Sequence, residues 1–341
     1  MLHAGFTGGG NITETHMRAA RAAGLEIAAV CGRNAEKVAA LVACHGGTAY
    51  VDLDRFLAHK PMDVVIIGSP SGVHAEQAIA AARCGLHVLT EKPIDITTER
   101  ADIMIAAAER AQVKLGVIFQ DRLKNDVLRL KQWIDSGKLG RPLLVEASVK
   151  WWRPPEYYSG SKWRGTSALD GGGALMNQGI HTVDLLLYLL GEISRVQAVT
   201  KTVLHDIESE DTCAATLEFA SGAVGVLHAT TAAYPGYARR VEITGSEGTV
   251  RLEHDRIITV DLRNPPALSQ SETEDRNASA NSPVVSDVRG HQRVIEDFVE
   301  AIQTGRDPVC SGEEGRRSLA VVEAIYQAAR THDAVLCGAG G

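Results

Sequence analysis

The first 120 residues of the chain alternate short apolar runs with segments of helical periodicity. The runs at 2–7, 25–31, 63–67, 87–90 and 114–119 are each too short for an ordinary helix, and helical patterns separate them. Strands that alternate with helices of this length form a parallel sheet that is covered on both faces. The alternation therefore predicts an α/β fold that begins with a doubly wound parallel sheet.

The pattern changes after about residue 123. Between residues 196 and 260, strand-like runs alternate with turns such as Ala220-Ser221-Gly222. This pattern is typical of antiparallel strands in an α+β domain. We predict a first domain, built on the parallel sheet, at residues 1–122 and a second, α+β domain at residues 123–341.

The last part of the chain is predicted to contain two helices and two irregular segments. Helical patterns at 289–303 and 312–331 close the chain. The polar segment 264–288 predicts a long mobile loop, and the last five residues predict a frayed tail.

The composition excludes several classes of function. The chain has 341 residues, of which 45% are hydrophobic and 23% charged, so it can bury a core and fill about two domains. Its formal net charge of -7 argues against binding to nucleic acid, and no apolar run reaches the length of a membrane helix. Six cysteines are scattered without disulfide or metal-ligand spacing. We therefore expect a cytoplasmic protein that binds neither nucleic acid nor a membrane.

A glycine-rich turn lies at the first predicted junction of strand and helix. Three consecutive glycines at 8–10 follow the first apolar run. Gly8 would make the tight turn, and Gly10 would let the backbone approach a pyrophosphate, which the amides at the helix start then bind. Thr13 stands at the place of the third glycine of this fingerprint. The alternative is therefore a glycine turn without a ligand.

The end of the second predicted strand bears on the choice of cofactor. An NAD enzyme usually carries an acidic residue about 20 residues past the glycines, where it binds the ribose hydroxyls. Gly32 and Arg33 occupy that place here, and Lys37 follows one turn into the next helix. An arginine in place of a carboxylate favours the 2′-phosphate of NADP. The alternative is that Arg33 stacks on the adenine or faces solvent.

Two further segments carry residues suited to catalysis. The motif Glu91-Lys92-Pro93 follows the predicted strand at 87–90, at the end where open parallel sheets bind their ligands. A cis peptide before the proline is compatible with this sequence. In the second segment, Asn177, His181 and Asp184 fall at i, i+4 and i+7 and share one face of a predicted helix at 175–190. The alternative for His181 is a buried imidazole that Asp184 satisfies.

These motifs together resemble those of the glucose–fructose oxidoreductase/inositol dehydrogenase family (Gfo/Idh/MocA). The resemblance covers nearly the whole chain, and besides the glycine turn it rests on Ser69-Pro70 with His74, on Glu91-Lys92-Pro93, and on the three-glycine helix start before His181. It implies a Rossmann domain followed by a domain with an open, mostly antiparallel sheet. In this family the sheet usually serves as an oligomer interface, so a homodimer or homotetramer is expected.

The resemblance also assigns roles to individual residues. Lys92 and His181 match the catalytic lysine and histidine of the family. Asn177 stands where the inositol dehydrogenases commonly have Asp. An asparagine at this position resembles the branch of the family that oxidises nucleotide-linked amino-sugar uronates. Residues that match cofactor-contacting positions are Gly8, Gly9, Gly10, Asn11, Ile12, Gly32, Arg33, Ser69, Pro70, His74, Glu91, Lys92, Gln120, Trp163 and Arg164.

The implied reaction is a reversible hydride transfer between C4 of a nicotinamide and a carbinol carbon. The cofactor is NAD or NADP, of which Arg33 favours NADP. In the oxidation, His181 would take the hydroxyl proton, Lys92 would stabilise the developing alkoxide, and Asn177 would hold a neighbouring hydroxyl or Lys92. Asp184 could orient His181. We expect a sugar, a sugar derivative or a cyclitol as the substrate.

The substrate site is expected to include aromatic and arginine side chains besides the catalytic residues. Aromatic faces and guanidinium donors suit a sugar ring with an acidic group. The candidates are Lys92, Arg122, Trp152, Arg153, Tyr157, Asn177 and His181. The alternative is that the tryptophans fill an interdomain core. No metal is expected, since the polar cluster His205, Asp206, Glu208, Glu210 and Asp211 is interpreted as a solvated turn.

Two other functions remain open from the sequence. One is a glycosidase that keeps its NAD bound and cleaves by transient oxidation and elimination. The other is a dinucleotide-binding sensor without catalysis, against which the pair of Lys92 and His181 argues.

Overall fold

The computed structural model describes residues 1–265 and 287–337, which form two compact units. The first unit comprises residues 1–120, 168–171 and 287–319. The second comprises residues 121–167, 172–286 and 320–341, of which the structure describes the part named above. Within the described residues, no helix combines the length and the apolar character that crossing a membrane requires.

The first unit is built on a six-stranded sheet with the strand order β3-β2-β1-β4-β5-β6. All of its strand pairs are parallel. The strands are β1 (His3–Thr7), β2 (Glu26–Cys31), β3 (Thr48–Tyr50), β4 (Val64–Ile67), β5 (His87–Thr90) and β6 (Leu115–Val117). Every residue of β4 is buried, because helices cover both faces of a central parallel strand. The predicted doubly wound parallel sheet is thereby confirmed.

Helices connect these strands and begin at residues suited to cap them. Asn34, Asp52 and Thr97 each accept a hydrogen bond from an amide three residues further on, at the starts of α2, α3 and α5. The helices of this part are α1 (Asn11–Ala22), α2 (Ala35–His45), α3 (Leu53–Leu57), α4 (His74–Arg83) and α5 (Thr98–Arg110). A short 3₁₀ turn, Ser71–Val73, precedes α4.

The first unit also includes a segment from late in the sequence, which the predicted division at residue 122 places in the second domain. The amide of Val117 donates to the carbonyl of Cys310 at 2.8 Å, which joins this segment to β6. The ring of Phe298 packs so closely over Gly116 that a Cβ there would lie 2.9 Å from it. The fold of the first unit therefore depends on residues 287–319 as well as on the N-terminal segment.

The second unit contains an eight-stranded sheet with the order β13-β12-β11-β7-β10-β9-β8-β14. Its pairs are antiparallel except for the pair of β7 and β10. The strands are β7 (Pro142–Lys150), β8 (Ile193–Lys201), β9 (Thr212–Phe219), β10 (Val224–Thr230), β11 (Arg240–Gly245), β12 (Gly248–Glu253), β13 (Arg256–Leu262) and β14 (Val335–Leu336). The predicted, mostly antiparallel sheet is confirmed.

One face of this sheet is buried and the other is exposed. Residues of β9 alternate between buried and exposed positions along the strand, as expected for a sheet that is covered on one face. The remaining helices of the chain are α6 (Asn125–Asp135), α7 (Pro155–Ser159), α8 (Ile180–Leu190), α9 (Arg289–Thr304) and α10 (Gly312–Thr331).

Most predicted elements are present with shifts of a few residues at their ends. The short helix α7 and the strand β14 are not among the predicted elements. The predicted helix at 175–190 consists of a π-helical turn, Leu175–Gly179, followed by α8. Most of the predicted loop 264–288, and the tail after Cys337, lie outside the described residues.

Candidate active site

The carboxyl ends of three neighbouring strands meet at one edge of the parallel sheet. Strands β1, β4 and β5 are adjacent and end at Thr7, Ile67 and Thr90. The strand order reverses between β1 and β4, because β2 and β3 lie on one side of β1 and β4 lies on the other. Open α/β sheets bind ligands at such a switch point. Gly8, Ser69 and the Glu91-Lys92-Pro93 motif therefore lie along the edge where a dinucleotide is expected.

The glycine turn fits a pyrophosphate. Gly8 has a φ of 118°, and a Cβ on it would lie 2.6 Å from the carbonyl oxygen of Gly68, so this position requires glycine. Gly10 is the N-cap of α1, and no side chain caps the helix there. A Cβ on Gly10 would meet no atom within 4 Å. The start of α1, with Asn11 and Ile12, therefore has open space beside it. The first amides of a helix have no acceptor within the helix, and such amides bind phosphate.

The end of β2 carries an exposed positive charge. Arg33 follows Gly32 and is exposed, and Asn34 caps the next helix through the amide of Lys37. A Cβ on Gly32 would lie 2.6 Å from the carbonyl oxygen of Gly8, so β1 and β2 approach closely at their ends. Within the residues that the structure describes, no acidic side chain bonds Arg33, and its guanidinium is available to a ligand.

The side chain of His74 holds the backbone rather than facing the edge. Its ring is buried, with Nδ1 3.0 Å from the carbonyl oxygen of Pro93 and Nε2 3.0 Å from that of Ser69. The predicted contact of His74 with the cofactor does not fit this position, because both ring nitrogens already face main-chain oxygens. Ser69 is half-buried, its hydroxyl donates to Gln77, and Pro70 begins the following 3₁₀ turn.

Glu91 also has an inward-facing side chain. Its carboxylate accepts a hydrogen bond from Nε2 of His16 at 2.9 Å and lies 3.7 Å from Nε2 of His291. Burial opposes its ionisation, but the two imidazoles outweigh burial and hold the pKa of Glu91 well below its usual range. The pKa of His16 is lowered by burial. The Glu91 carboxylate thus joins α1 and α9 to the end of β5 through His16 and His291. Its predicted contact with the cofactor does not fit this inward position.

This trio also has the composition of a metal site. The ligand atoms of His16, Glu91 and His291 all lie within 4.8 Å of one another, and two histidines with a glutamate are a set that zinc uses. A hydrogen bond of 2.9 Å accounts for the closest pair without a metal. The expectation that the chain binds no metal stays a prediction.

Lys92 and Gln120 complete the first unit's share of the predicted site. Lys92 is half-buried, its amide donates to Glu91, and the Lys92–Pro93 peptide is cis. Gln120 begins a 3₁₀ turn, Gln120–Leu123, and its Oε1 atom is buried without a hydrogen-bond partner in the described part of the chain. An unsatisfied amide oxygen of this kind fits a ligand that donates to it.

A buried carboxylate anchors the start of the helix that carries His181. Glu210 accepts hydrogen bonds from the amides of Gly173 and Leu175, at 3.0 and 2.7 Å, and from the hydroxyl of Tyr326 at 3.0 Å. Burial raises the pKa of Glu210 to about 7, although these donors oppose the rise. The interpretation of 205–211 as a solvated turn is therefore wrong at both ends, where His205, Glu210 and Asp211 are buried.

His181 faces a carboxylate that the sequence analysis did not select. Its Nδ1 atom lies 3.6 Å from Oδ2 of Asp121. The carboxylate of Asp184 instead accepts two hydrogen bonds from Arg122, at 2.8 and 2.6 Å. Arg122 is 1% exposed, and its predicted contact with the substrate does not fit this burial. The sequence carried no local signal for Asp121, because His181 and Arg239, which lie beside its carboxylate, come from distant parts of the chain.

Asn177 lies in the π-helical turn before α8. It is half-buried, and its side-chain oxygen accepts a hydrogen bond from Gln178 at 3.2 Å. Single π-helical turns within α-helices occur frequently at functional sites. The turn places Asn177 and His181 on consecutive turns of one continuous helical segment, which keeps both available for the predicted roles.

The aromatic and arginine side chains form a stacked group around Tyr157. The guanidinium of Arg164 lies 4.1 Å from the centre of the Tyr157 ring, and that of Arg153 lies 5.4 Å from it. Arg153 is 3% exposed, so supporting Tyr157 fits its burial better than the predicted substrate contact. Trp152 and Trp163 are half-buried. Stacking of this kind fixes the ring of Tyr157 and leaves its hydroxyl as the polar end.

The fold and the glycine turn define a dinucleotide-binding protein, and comparison with known proteins gives its family. The model described as Oxidoreductase family, NAD-binding Rossmann fold, matches residues 2–119. The GFO/IDH/MocA C-terminal domain matches residues 127–251. The chain belongs to the Gfo/Idh/MocA family, as its motifs indicated, and is an NAD(P)-dependent oxidoreductase of the dehydrogenase and reductase class.

Three relatives illustrate the likeness. The WlbA dehydrogenase from Bordetella pertussis, solved in complex with NADH and UDP-GlcNAcA, is 32% identical with a TM-score of 0.90, and 99% of each chain is covered. Levoglucosan dehydrogenase, solved with NADH and levoglucosan, is 26% identical with a TM-score of 0.86, again over 99% of each chain. Myo-inositol 2-dehydrogenase from Thermotoga maritima is 28% identical over 80% of this chain and 78% of the relative.

Proposed function

We propose that the chain transfers a hydride between C4 of a nicotinamide and a carbinol carbon of a sugar, a sugar derivative or a cyclitol. The observation that carries the proposal is the position of Lys92, directly after β5 on the ligand-binding edge of a sheet whose glycine turn fits a pyrophosphate. Relatives that act on sugars and on inositol support the substrate class.

The chain's own residues divide the chemistry of the carbinol between them. His181 takes the hydroxyl proton during oxidation and returns it during reduction, since an imidazole titrates near neutral pH. Lys92 stabilises the negative charge that develops on the oxygen, and Asn177 binds a neighbouring hydroxyl. The bound nicotinamide supplies the hydride acceptor or donor.

The cofactor is held by the glycine turn at 8–10 and by the residues around it. Arg33 favours NADP over NAD, because an exposed guanidinium without an acidic partner suits a 2′-phosphate. Gln120 would accept a hydrogen bond from the cofactor through its buried Oε1 atom, and Trp163 and Arg164 would contact the cofactor at the nicotinamide end.

The substrates to test first are nucleotide-linked amino-sugar uronates. Asn177 before His181 favours this branch, and the WlbA dehydrogenase, which the chain covers almost completely, was solved with such a ligand. Free sugars and cyclitols form the comparison panel. A glycosidase that retains its NAD would release an aryl group from a glycoside without net reduction of added cofactor, which the same assays detect.

The test is the formation of reduced nicotinamide by the purified protein with this panel. We expect Lys92→Ala and His181→Ala each to lower kcat by at least about 100-fold, since general acid–base catalysis and charge stabilisation each contribute about this much. Arg83→Ser, an exposed change at the far end of α4, is the control and should keep full turnover. Full turnover by either alanine variant would show that the proposed site is wrong.

A further inference from the structure

A buried carboxylate lies beside the imidazole of His181. Oδ2 of Asp121 is 3.6 Å from Nδ1 of His181, and the two side chains are only 7% and 11% exposed. Asp121 belongs to the 3₁₀ turn before α6, and His181 is the second residue of α8. A charge at this distance in a poorly solvated place acts strongly on the protonation of the ring.

Two cations, one buried and one half-buried, hold Asp121 in place. Nη1 of Arg239 lies 2.8 Å from its Oδ2, and Nζ of Lys124 lies 2.9 Å from its Oδ1. Asp255 accepts hydrogen bonds from both of these cations. We call Asp121, Lys124, Arg239 and Asp255 the charge cluster. Its two carboxylates and two cations balance, which makes the burial of four charges tolerable.

The cluster keeps Asp121 ionised. Burial opposes its ionisation, but the charges of Arg239 and Lys124 outweigh burial and hold the pKa of Asp121 well below its usual range. Asp121 therefore stays negative throughout the pH range in which an imidazole titrates. It cannot take a proton from His181 under these conditions and acts as a fixed negative charge.

The polar residues on the helix itself differ from Asp121 in charge or in pairing. Asn177, four residues before His181, is neutral. Both carboxylate oxygens of Asp184 accept hydrogen bonds from Arg122, so a guanidinium balances the charge of Asp184. Asp121 is a carboxylate from outside the helix that lies at ion-pair distance from Nδ1 of His181.

We propose that Asp121 is a positioning residue for His181, which fixes the tautomer with the hydrogen on Nδ1 and stabilises the imidazolium formed when Nε2 takes the substrate proton. The inference rests on the proposed function, in which His181 is the general base. In the oxidation, the substrate carbon gives its hydride to the nicotinamide, the hydroxyl proton passes to Nε2, and Asp121 stays ionised. The separation of 3.6 Å exceeds a hydrogen bond, and catalytic hydrogen bonds of this kind tighten in the substrate complex.

The direct test is the NMR titration of His181 in the full-length protein without added cofactor or substrate. We expect Asp121→Asn to lower the titration midpoint of His181 by about 1 to 2 pH units, because the variant removes the negative charge and leaves two cations nearby. Asp255→Asn is the matched control. It removes one carboxylate from the same two cations, and asparagine accepts the φ of 63° at this position.

The control should move the midpoint of His181 by less than half as much. An unchanged midpoint in Asp121→Asn, or equal shifts in the two variants, overturns the proposal. If Asp121→Asn does not fold, the paired variant Asp121→Asn/Lys124→Gln keeps the cluster neutral. The paired variant must still lower the midpoint if the proposal holds.

Steady-state kinetics provide the second readout. Asp121→Asn should lower kcat by about 10- to 100-fold, leave KM within about threefold, and lower the pH at which kcat/KM reaches half its maximum. A merely structural role would lower activity without moving this pH profile. An active His181→Ala enzyme would defeat the proposed function yet leave the NMR comparison intact, so the two failures are distinguishable.

Discussion

Arg33 places an exposed positive charge after β2, at the position where NAD enzymes usually carry a carboxylate. A charge-assisted hydrogen bond to a phosphate contributes about 1.5–3 kcal/mol, which corresponds to about 10- to 100-fold in affinity. We therefore expect Arg33→Ser to weaken NADP binding by about this factor and NAD binding by no more than about twofold. Calorimetric titration with each cofactor measures both, and Arg83→Ser again serves as the control. Tighter binding of NAD than of NADP by the unchanged protein would contradict the role given to Arg33.

Glu210 makes the stability of the second unit depend on pH. Its pKa in the folded chain is about 7, above the ordinary value of 4.5, so the folded state binds more protons than the unfolded state between these values. Stability from this group is fully present below about pH 4.5 and is lost as the pH rises through about 7. The difference is about 3 kcal/mol.

Glu210→Gln should remove most of this dependence, because the amide imitates the protonated carboxyl. The measurement is urea unfolding at about pH 5 and about pH 8, with the difference between the two compared across variants. Glu208→Gln, an exposed change two residues away, is the control and should keep the dependence of the unchanged protein. An equal pH dependence with Gln at 210 would rule out Glu210 as its source.

At the scale of elements, a buried ion pair joins the 3₁₀ turn at residue 122 to α8. Arg122 and Asp184 are each 1% exposed and share two hydrogen bonds. Removal of one partner leaves the other charge buried, so Arg122→Met or Asp184→Leu alone should cost about 3–5 kcal/mol of unfolding free energy. The double variant should cost less than either single change. Urea unfolding of all four proteins forms the cycle, and simple addition of the two single effects would mean that the residues do not act as a pair.

The elements that the sequence predicted are those with a clear period or a clear stop. Four consecutive apolar residues predicted β4, and the Gly8–Gly10 turn marked the start of α1. The local pattern at 175–190 predicted one regular helix and did not show the π-helical turn before α8. The amides at the start of this segment donate to Glu210, which lies 35 and 37 positions further along the chain. The short helix α7 and the strand β14 carry too few residues to show a period.

The candidate site follows the same division. Lys92, His181 and the glycine turn lie in contiguous motifs, so the sequence predicted them. Asp121 did not stand out, because the charge cluster joins residues such as Lys124 and Asp255 that are 131 positions apart. The direction of the side chains could not be predicted from the sequence either. His74 and Glu91 lie beside the predicted ligand-binding edge, but their side chains face inward.

At the scale of the whole molecule, one face of the eight-stranded sheet is uncovered by the residues that the structure describes. Its exposed side chains include Leu144, Val199, Val224 and Val226, which are 42%, 57%, 52% and 43% exposed. Val224 pairs with Leu144 on the neighbouring strand, so the apolar residues adjoin one another. Exposed apolar patches of this kind mark interaction surfaces. We propose that a second copy of the chain covers this face, as the sequence analysis expected.

Val226→Lys tests this assembly with little harm to the single chain. The new ammonium group would lie opposite Glu146 on β7, so the strand pair gains a favourable partner within its own chain. In an interface between two copies, the same lysine would be buried against apolar side chains, which costs several kcal/mol per charge. We therefore expect the variant to weaken self-association by at least about 100-fold, measured by sedimentation equilibrium. Val203→Lys, at a position that is 62% exposed and outside the strands, should leave the assembly unchanged. An assembly of unchanged mass in Val226→Lys would exclude this face as the interface and direct the search to the strand edges of the same sheet.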